Sequence, residues 1–186
     1  MFRGSELPET KLIVAPPSYK FCPFCAASLQ SRLDRDQMRP FCANCNWTYY
    51  AHMAISVTGI LVDGERALLV KRRHEPFPGT WMFPSGFVEY GEHPVDALLR
   101  EFLEETGLRA EHPTWLGLYQ SDDDPREPGH IALFHEIPRW HGSLRNDPIE
   151  NDGVDWFELQ NPPVVELKHH ALFIDLYRKR LETEGA

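Results

Sequence analysis

No apolar run in the chain approaches the ~20 residues that cross a bilayer. The leading stretch MFRGSELPETKLIVAPPSYK also lacks the apolar core and small-residue cleavage site of a secretory signal. These two absences lead to the expectation of a cytoplasmic protein with no membrane partner. Basic charge is scarce as well: 19 Lys and Arg stand against 28 Asp and Glu, for a formal net charge of −9. Such a balance repels nucleic acid and anionic lipid, so bulk electrostatics excludes both as broad partners. There is no low-complexity tract and no internal repeat apart from a doubled cysteine pair.

What is present suits a folded domain. The 186 residues are 42% hydrophobic, with 11 Phe and 5 Trp, enough for one full core and a small appendage but not for two large domains. Residues 1–17 carry Pro8, Pro16 and Pro17 with little apolar periodicity and read as an extended lead-in. From Met53, MAISVTGILV alternates, and ERALLVKR follows Asp63-Gly64, which predicts a hairpin of two paired strands. PVDALLREFLEETG reads as a helix, opened by Pro94 and closed by Gly107. WLGLYQS, HIALFHEIP and DGVDWFEL read as strands, and ELKHHALFIDLYRKRLE has helical spacing at Leu167, Ala171, Ile174, Leu176 and Tyr177. Strands mixed with two helices predict an α/β or α+β sandwich.

The four cysteines form two pairs, Cys22/Cys25 in CPFC and Cys42/Cys45 in CANC, separated by sixteen residues. In a reducing compartment this spacing points to a four-cysteine zinc ribbon over 18–50, since a two-residue gap lets both sulfurs of a knuckle face one ion. A structural staple is the expected role. Contact with nucleic acid through the mildly basic Lys20, Arg32, Arg35 and Arg39, or a redox role, are the alternatives. Ala26 and Asn46 stand where such knuckles often carry Gly.

Within the first predicted helix, Glu104 lies about 60° to one side of Glu101 on the helical wheel and Glu105 about 40° to the other, so all three share one face. Like charges this close need a positive complement. A hard dication with oxygen ligands supplies it, and magnesium bridges carboxylates to substrate phosphates. The full constellation is Gly86, five residues, Glu92, seven residues, Arg100, Glu101, Phe102, one residue, Glu104, Glu105, one residue, Gly107, Leu108. With seven fixed positions at frequencies of roughly 6–7%, a chance match at a given start is on the order of 10⁻⁹.

Residues 86–108 resemble a complete Nudix box, and the chain over 52–182 is similar to Nudix hydrolases. With the cysteine module in front, it resembles the zinc-ribbon subgroup that includes NADH pyrophosphatases. The resemblance implies an α/β/α sandwich around a mixed sheet and a magnesium- or manganese-dependent hydrolysis of a phosphoanhydride in a nucleoside diphosphate linked to another moiety. It implies metal ligation by Glu101, Glu104, Glu105 and the Gly86 carbonyl, and a structural pairing of Glu92 with Arg100. Related enzymes are commonly homodimers.

The proton acceptor is expected to be Glu101 or, from the later loop PIENDGVDWFEL, Glu150, for which a plain surface role is the alternative. Asp152 and Asp122–Asp124 read as solvated turn residues. Lys71, Arg72 and Arg73 end a strand, and alternation sends Arg72 and Arg73 to opposite faces, so one of them is expected at the substrate. Trp81 and Phe87 suit either core packing or stacking on a base, and His169 and His170 read as surface or partly buried residues without a role. The region LGLYQSDDDPREPGHIALF lacks the Ser-Gln-Pro-Trp-rich motif of NADH pyrophosphatases, which turns the expectation toward ADP-ribose or another ADP-containing diphosphate. The reading from a different class is a nucleotide-sensing or nucleic-acid-binding regulator with a non-catalytic Nudix fold.

Overall fold

The computed structural model describes residues 19–125 and 127–184, and these fall into two compact units, 19–53 and 54–184. The lead-in expected at 1–17 lies outside the described residues.

In the smaller unit, β1 (Gln30–Asp34) and β2 (Gln37–Phe41) form an antiparallel hairpin behind the two cysteine knuckles. Each knuckle closes through its own amides: Ala26 N–H donates to the Cys22 carbonyl at 2.9 Å, and Cys42 N–H to the Trp47 carbonyl at 2.8 Å. Ala26 and Asn46 both adopt left-handed backbone, with φ of 55° and 57°. The chain thus takes the glycine conformation at both places without glycine. Cys22 and Cys42 are the hydrophobic residues of this unit that are fully buried, so its apolar core is minimal.

The larger unit runs β3 (Ile55–Ile60), β4 (Val62–Asp63), β5 (Arg66–Arg72), β6 (Trp81–Met82), β7 (Ser85–Phe87), α1 (Pro94–Thr106), β8 (Leu108–Glu111), β9 (Thr114–Ser121), β10 (His130–Glu136), β11 (Arg139–Gly142), β12 (Asn151–Glu158) and α2 (Lys168–Glu184). One sheet has the order β7-β3-β10-β9, a second β12-β5-β4 with β6 also on β5, and β8 pairs with β11. The β3–β10 pair is parallel and the others antiparallel, so the fold is mixed. The hairpin predicted from MAISVTGILV and ERALLVKR forms only at its tip, around the Asp63-Gly64 turn. Both edges of β3 are taken by β7 and β10, and β5 pairs instead with β12 and with the two-residue β4 across the Asp63-Gly64 turn.

Alternation along β5 builds the layers. Ala67 and Leu69 join Ile60, Phe134, Phe173, Ile174 and Tyr177 on the α2 side. Leu68, between them, joins Val57, Leu61, Leu98 and Phe102 on the α1 side. The strands are therefore covered by one helix on each side, the α/β/α arrangement. The α2 face turns relative to the spacing read from sequence: Phe173 is fully buried, while Ala171 and Leu176 are only half-buried.

Helix α1 begins and ends where its residues dictate. Pro94 occupies the first turn, and the His93 side chain accepts from Val95 N–H at 3.2 Å. Gly107 stops the helix at φ 72°, its N–H donating to the Leu103 carbonyl at 2.8 Å. A Cβ there would lie 2.8 Å from the Ser143 carbonyl oxygen, so glycine is required on two counts.

Candidate active site

The three glutamates of α1 leave the helix at very different depths. Glu105 is 2% exposed. One of its carboxylate oxygens accepts Ser85 N–H at 2.7 Å and the other accepts the Asn151 amide at 3.0 Å. Burial pushes its pKa up to about 8, against the lowering effect of those two hydrogen bonds. Glu101 keeps 12% of its side chain exposed and meets Arg100 at 2.7 Å. Burial raises its pKa, opposed by Arg100 and reinforced by the charges of Glu150 and Glu104. Glu104 is 53% exposed and meets the same Arg100 nitrogen at 3.1 Å.

Arg100 is thus a clamp. Two of its nitrogens bind Glu92 at 2.9 and 3.0 Å, and it also donates to the Phe87 carbonyl at 3.3 Å. Arg100 holds Glu92 below its usual carboxylate range, and Glu89 N–H adds to this. Since Phe87 ends β7 and Glu92 lies in the loop between β7 and α1, the clamp ties that strand end and loop to the helix. Gly86 fits the same design: a Cβ at this position would collide with the carboxylate of Glu101.

The second source of acid is the loop before β12. A register shift between Asn151 and Gly153 bulges β12 against β5 and coincides with the turn of Asn151 inward to Glu105. Asp147 caps the loop through Ile149 N–H, and Arg73 N–H donates to the Glu150 carbonyl at 3.1 Å. Glu150 is thereby held beside the carboxylates of α1, near enough for its charge to raise both Glu101 and Glu105. Asp152 instead faces Arg73 at 3.7 Å.

Gly86, Glu101, Glu105 and Glu150 line one cavity of about 360 Å³. Glu104 does not line it. Arg72 does, with its guanidinium tied to the Pro76 and Glu75 carbonyls at 2.7 and 3.0 Å. Arg73 lies outside the lining and bonds the Pro148 carbonyl, while Lys71 extends over the Trp81 ring at 6.0 Å. Phe87 lines the cavity and is 37% exposed, whereas Trp81 packs edge-on against Phe157 with centroids 4.5 Å apart.

The cavity also brings in residues that the sequence reading set aside. His130, His169 and His170 line it and are 5%, 4% and 2% exposed. Asp123 and Asp124, read as solvated, are 9% and 7% exposed, and Asp124 lines the cavity too. The reason is α2: Asp123 accepts the Lys168 N–H at 2.8 Å and the His169 Nδ1 at 2.9 Å, pulling the β9–β10 loop onto the helix start. A signal for His169 and His170 was present, since they precede the buried Phe173, Ile174 and Tyr177 by one or two helical turns.

The donor sets suit the metals that the sequence suggests. Around Gly86 the donors are hard carboxylate oxygens, and the missing Cβ leaves the room that Glu101 fills. In the ribbon, cysteine sulfurs lie 3.4, 3.5 and 4.0 Å apart, around the edge of about 3.8 Å of a tetrahedron with Zn–S bonds of about 2.3 Å. Among the described residues, these four cysteines are the group of metal-capable side chains whose ligand atoms all fall within 4.8 Å.

The NUDIX domain family matches residues 52–177. The ADP-ribose pyrophosphatase of Methanocaldococcus jannaschii is 36% identical over 130 residues, 69% of this chain and 76% of that protein. The NAD-capped RNA hydrolase NudC of Chromobacterium violaceum is 29% identical over 147 residues, 78% of this chain and 52% of its own length, so the chain spans about half of that relative. A NUDIX hydrolase structure from Nitrosomonas europaea superposes with a TM-score of 0.63 at 26% identity, over 78% of this chain and 81% of that one. With fold, acidic helix and flanking sequence all answering to the same family, the chain belongs to the Nudix hydrolases, here with a four-cysteine module in front whose donor set fits zinc.

Proposed function

We propose that the protein is a magnesium- or manganese-dependent pyrophosphohydrolase that splits the diphosphate joining a nucleoside to another moiety, with ADP-ribose the favoured substrate. The observation that carries this reading is the joint placement of Glu101, Glu105 and Glu150 around Gly86 in one cavity. The relative named ADP-ribose pyrophosphatase, matched over 76% of its length, supports the choice of substrate. The NAD-capped RNA hydrolases that the chain also resembles make the end of such an RNA the second substrate to try.

Glu101, Glu105 and the Gly86 carbonyl would hold the dication, with Glu104 joining once its bond to Arg100 is exchanged. The bound ion supplies Lewis acidity toward the phosphate oxygens and lowers the pKa of a coordinated water. Glu105 is kept in place by Ser85 and Asn151. Arg100 and Glu92 fix the end of β7, which carries Gly86, and the loop after it. Glu150, exposed at the cavity, is the favoured acceptor for the water's proton, with Glu101 the other candidate. Arg72 is the cationic side chain placed to meet substrate phosphate. Zinc on Cys22, Cys25, Cys42 and Cys45 would staple the ribbon.

The test is hydrolysis of ADP-ribose, NADH, FAD, nucleoside triphosphates and NAD-capped RNA by the purified chain with magnesium, with products identified. Hydrolysis of ADP-ribose to AMP and ribose phosphate is expected, and Glu101→Gln should lower turnover about 10²–10⁴-fold while the fold is kept. If nothing is cleaved while RNA binds with a steep salt dependence, the regulator reading replaces this one.

A further inference from the structure

Glu150 reaches the cavity from an exposed loop, and its carboxylate makes no hydrogen bond or ion pair among the described residues. Where that carboxylate stands is therefore set by the backbone that carries it. Two residues at the end of β5 fasten this backbone. Arg73 donates through its main-chain N–H to the Glu150 carbonyl at 3.1 Å and through its guanidinium to the Pro148 carbonyl, and its Nε faces the Asp152 carboxylate at 3.7 Å. The His74 Nε2 meets the Ile149 carbonyl at 2.8 Å, and since a carbonyl only accepts, this nitrogen donates. Residues 148, 149, 150 and 152 are thus each tied to Arg73 or His74.

On its other side the loop is anchored by Asn151, whose amide donates to Glu105 at 3.0 Å and whose N–H donates to the Asp147 carbonyl at 2.9 Å. Glu150 stands between these two anchorages, one at the end of β5 and one on a carboxylate of α1. Arg73 lies outside the cavity lining, whereas Arg72 belongs to it. The strand alternation that gives Arg72 to the cavity gives Arg73 to the loop. A planar guanidinium suits this task, because its rigid fork of donors serves acceptors on two residues at once, which a lysine ammonium on a flexible stem does less well.

We propose that Arg73 is a positioning residue for the proton acceptor: with His74 beside it, Arg73 fixes the loop of residues 147–152 so that the Glu150 carboxylate keeps its place at the cavity. The proposal rests on the pyrophosphohydrolase reading with Glu150 as acceptor. It adds how an exposed carboxylate retains the fixed geometry that proton transfer needs.

The experiment uses the full chain in magnesium with ADP-ribose, or whichever member of the substrate panel is cleaved. It compares wild type, Arg73→Gln, Glu150→Gln and the double variant, with kcat and KM measured well below the melting temperature. Glu150→Gln should lower kcat about 10²–10⁴-fold. Arg73→Gln should lower kcat about 10–10²-fold, the order expected of a carboxylate misplaced by roughly 1 Å, with KM kept within about twofold. In the double variant the Arg73 substitution should add less than about twofold to the Glu150 loss, because it acts through a group already removed. Arg73→Lys, which keeps the charge and loses the fork, should fall with Arg73→Gln, and it replaces that variant in the cycle if Arg73→Gln does not fold. Independently of turnover, hydrogen exchange at the Asn151 amide should quicken in either Arg73 variant.

The same loss on Arg73 substitution in both backgrounds is what a merely structural role produces, and it overturns the proposal. So does a raised KM with kcat kept, which would make Arg73 a substrate contact, and so does an Asn151 amide as protected as in wild type. In each of these cases a large Glu150→Gln loss leaves Glu150 as the acceptor. Full turnover by Glu150→Gln removes Glu150 from that role, and the proposal with it, while the hydrolase reading stands. Absence of wild-type turnover with every substrate of the panel removes both.

Discussion

At the scale of single residues, the site depends on atoms that are missing as much as on those present. Gly86 has no Cβ because the Glu101 carboxylate occupies that space. Its φ lies outside the left-handed region, so alanine strains no backbone, and the whole effect of Gly86→Ala falls on Glu101, a flexible side chain that can swing aside. The expected outcome is a melting temperature within a few degrees of wild type and a fall in kcat of about a hundredfold, the cost of roughly 1 Å of misplacement. Loss of stability without loss of turnover would show that the contact serves packing alone. The sequence announced this residue as part of a seven-position pattern. For His169 and His170 it offered only their helical spacing to Phe173, Ile174 and Tyr177, while their partners Asp123 and Phe83 come from residues far away in the chain.

At the scale of elements, α1 combines a helix buried on apolar contacts with a buried acid. Glu105 sits in the same face as Ala97, Leu98 and Phe102, and its pKa of about 8 in the folded protein compares with an ordinary value of 4.5. The folded chain therefore keeps a proton between these two values that the unfolded chain releases. The contribution of Glu105 to stability falls as pH rises through this window and is level on either side of it. A dication replacing that proton relieves the cost only where the group is charged. Magnesium should raise the melting temperature by several degrees more at pH 8 than at pH 5, read by thermal denaturation against a chelator control. An equal shift at both pH values would mean that the ion binds away from Glu105. The caps of α1 were legible in its sequence, because Pro94 and Gly107 act locally. The partners of β3 were not: the choice between β5 and β10 depends on which edges remain open after the sheet assembles.

At the scale of the molecule, the two units have different sources of stability. The unit of residues 54–184 has apolar clusters against both helices, and the ribbon has little beyond Cys22 and Cys42 inside. Chelation of zinc, or Cys42→Ser, should abolish hydrogen-exchange protection at the Cys22 and Ala26 amides, since metal binding and folding are one process in a module with so small a core. Protection that survives chelation would show that the hairpin stands without metal. Among the described residues no helix is long and apolar enough to cross a membrane. The amino-acid sequence alone determined the mixed α and β class, the acidic helix and the cysteine module, because each is written in short-range spacing that a helix or a knuckle converts directly into geometry. Only the tertiary structure decided which carboxylates share a cavity, that Glu105 is buried and Glu104 is not, and that an aspartate from the β9–β10 loop meets a histidine at the start of α2. Those outcomes depend on burial and on contacts between distant segments, which exist only once the sheets have closed and water has been excluded.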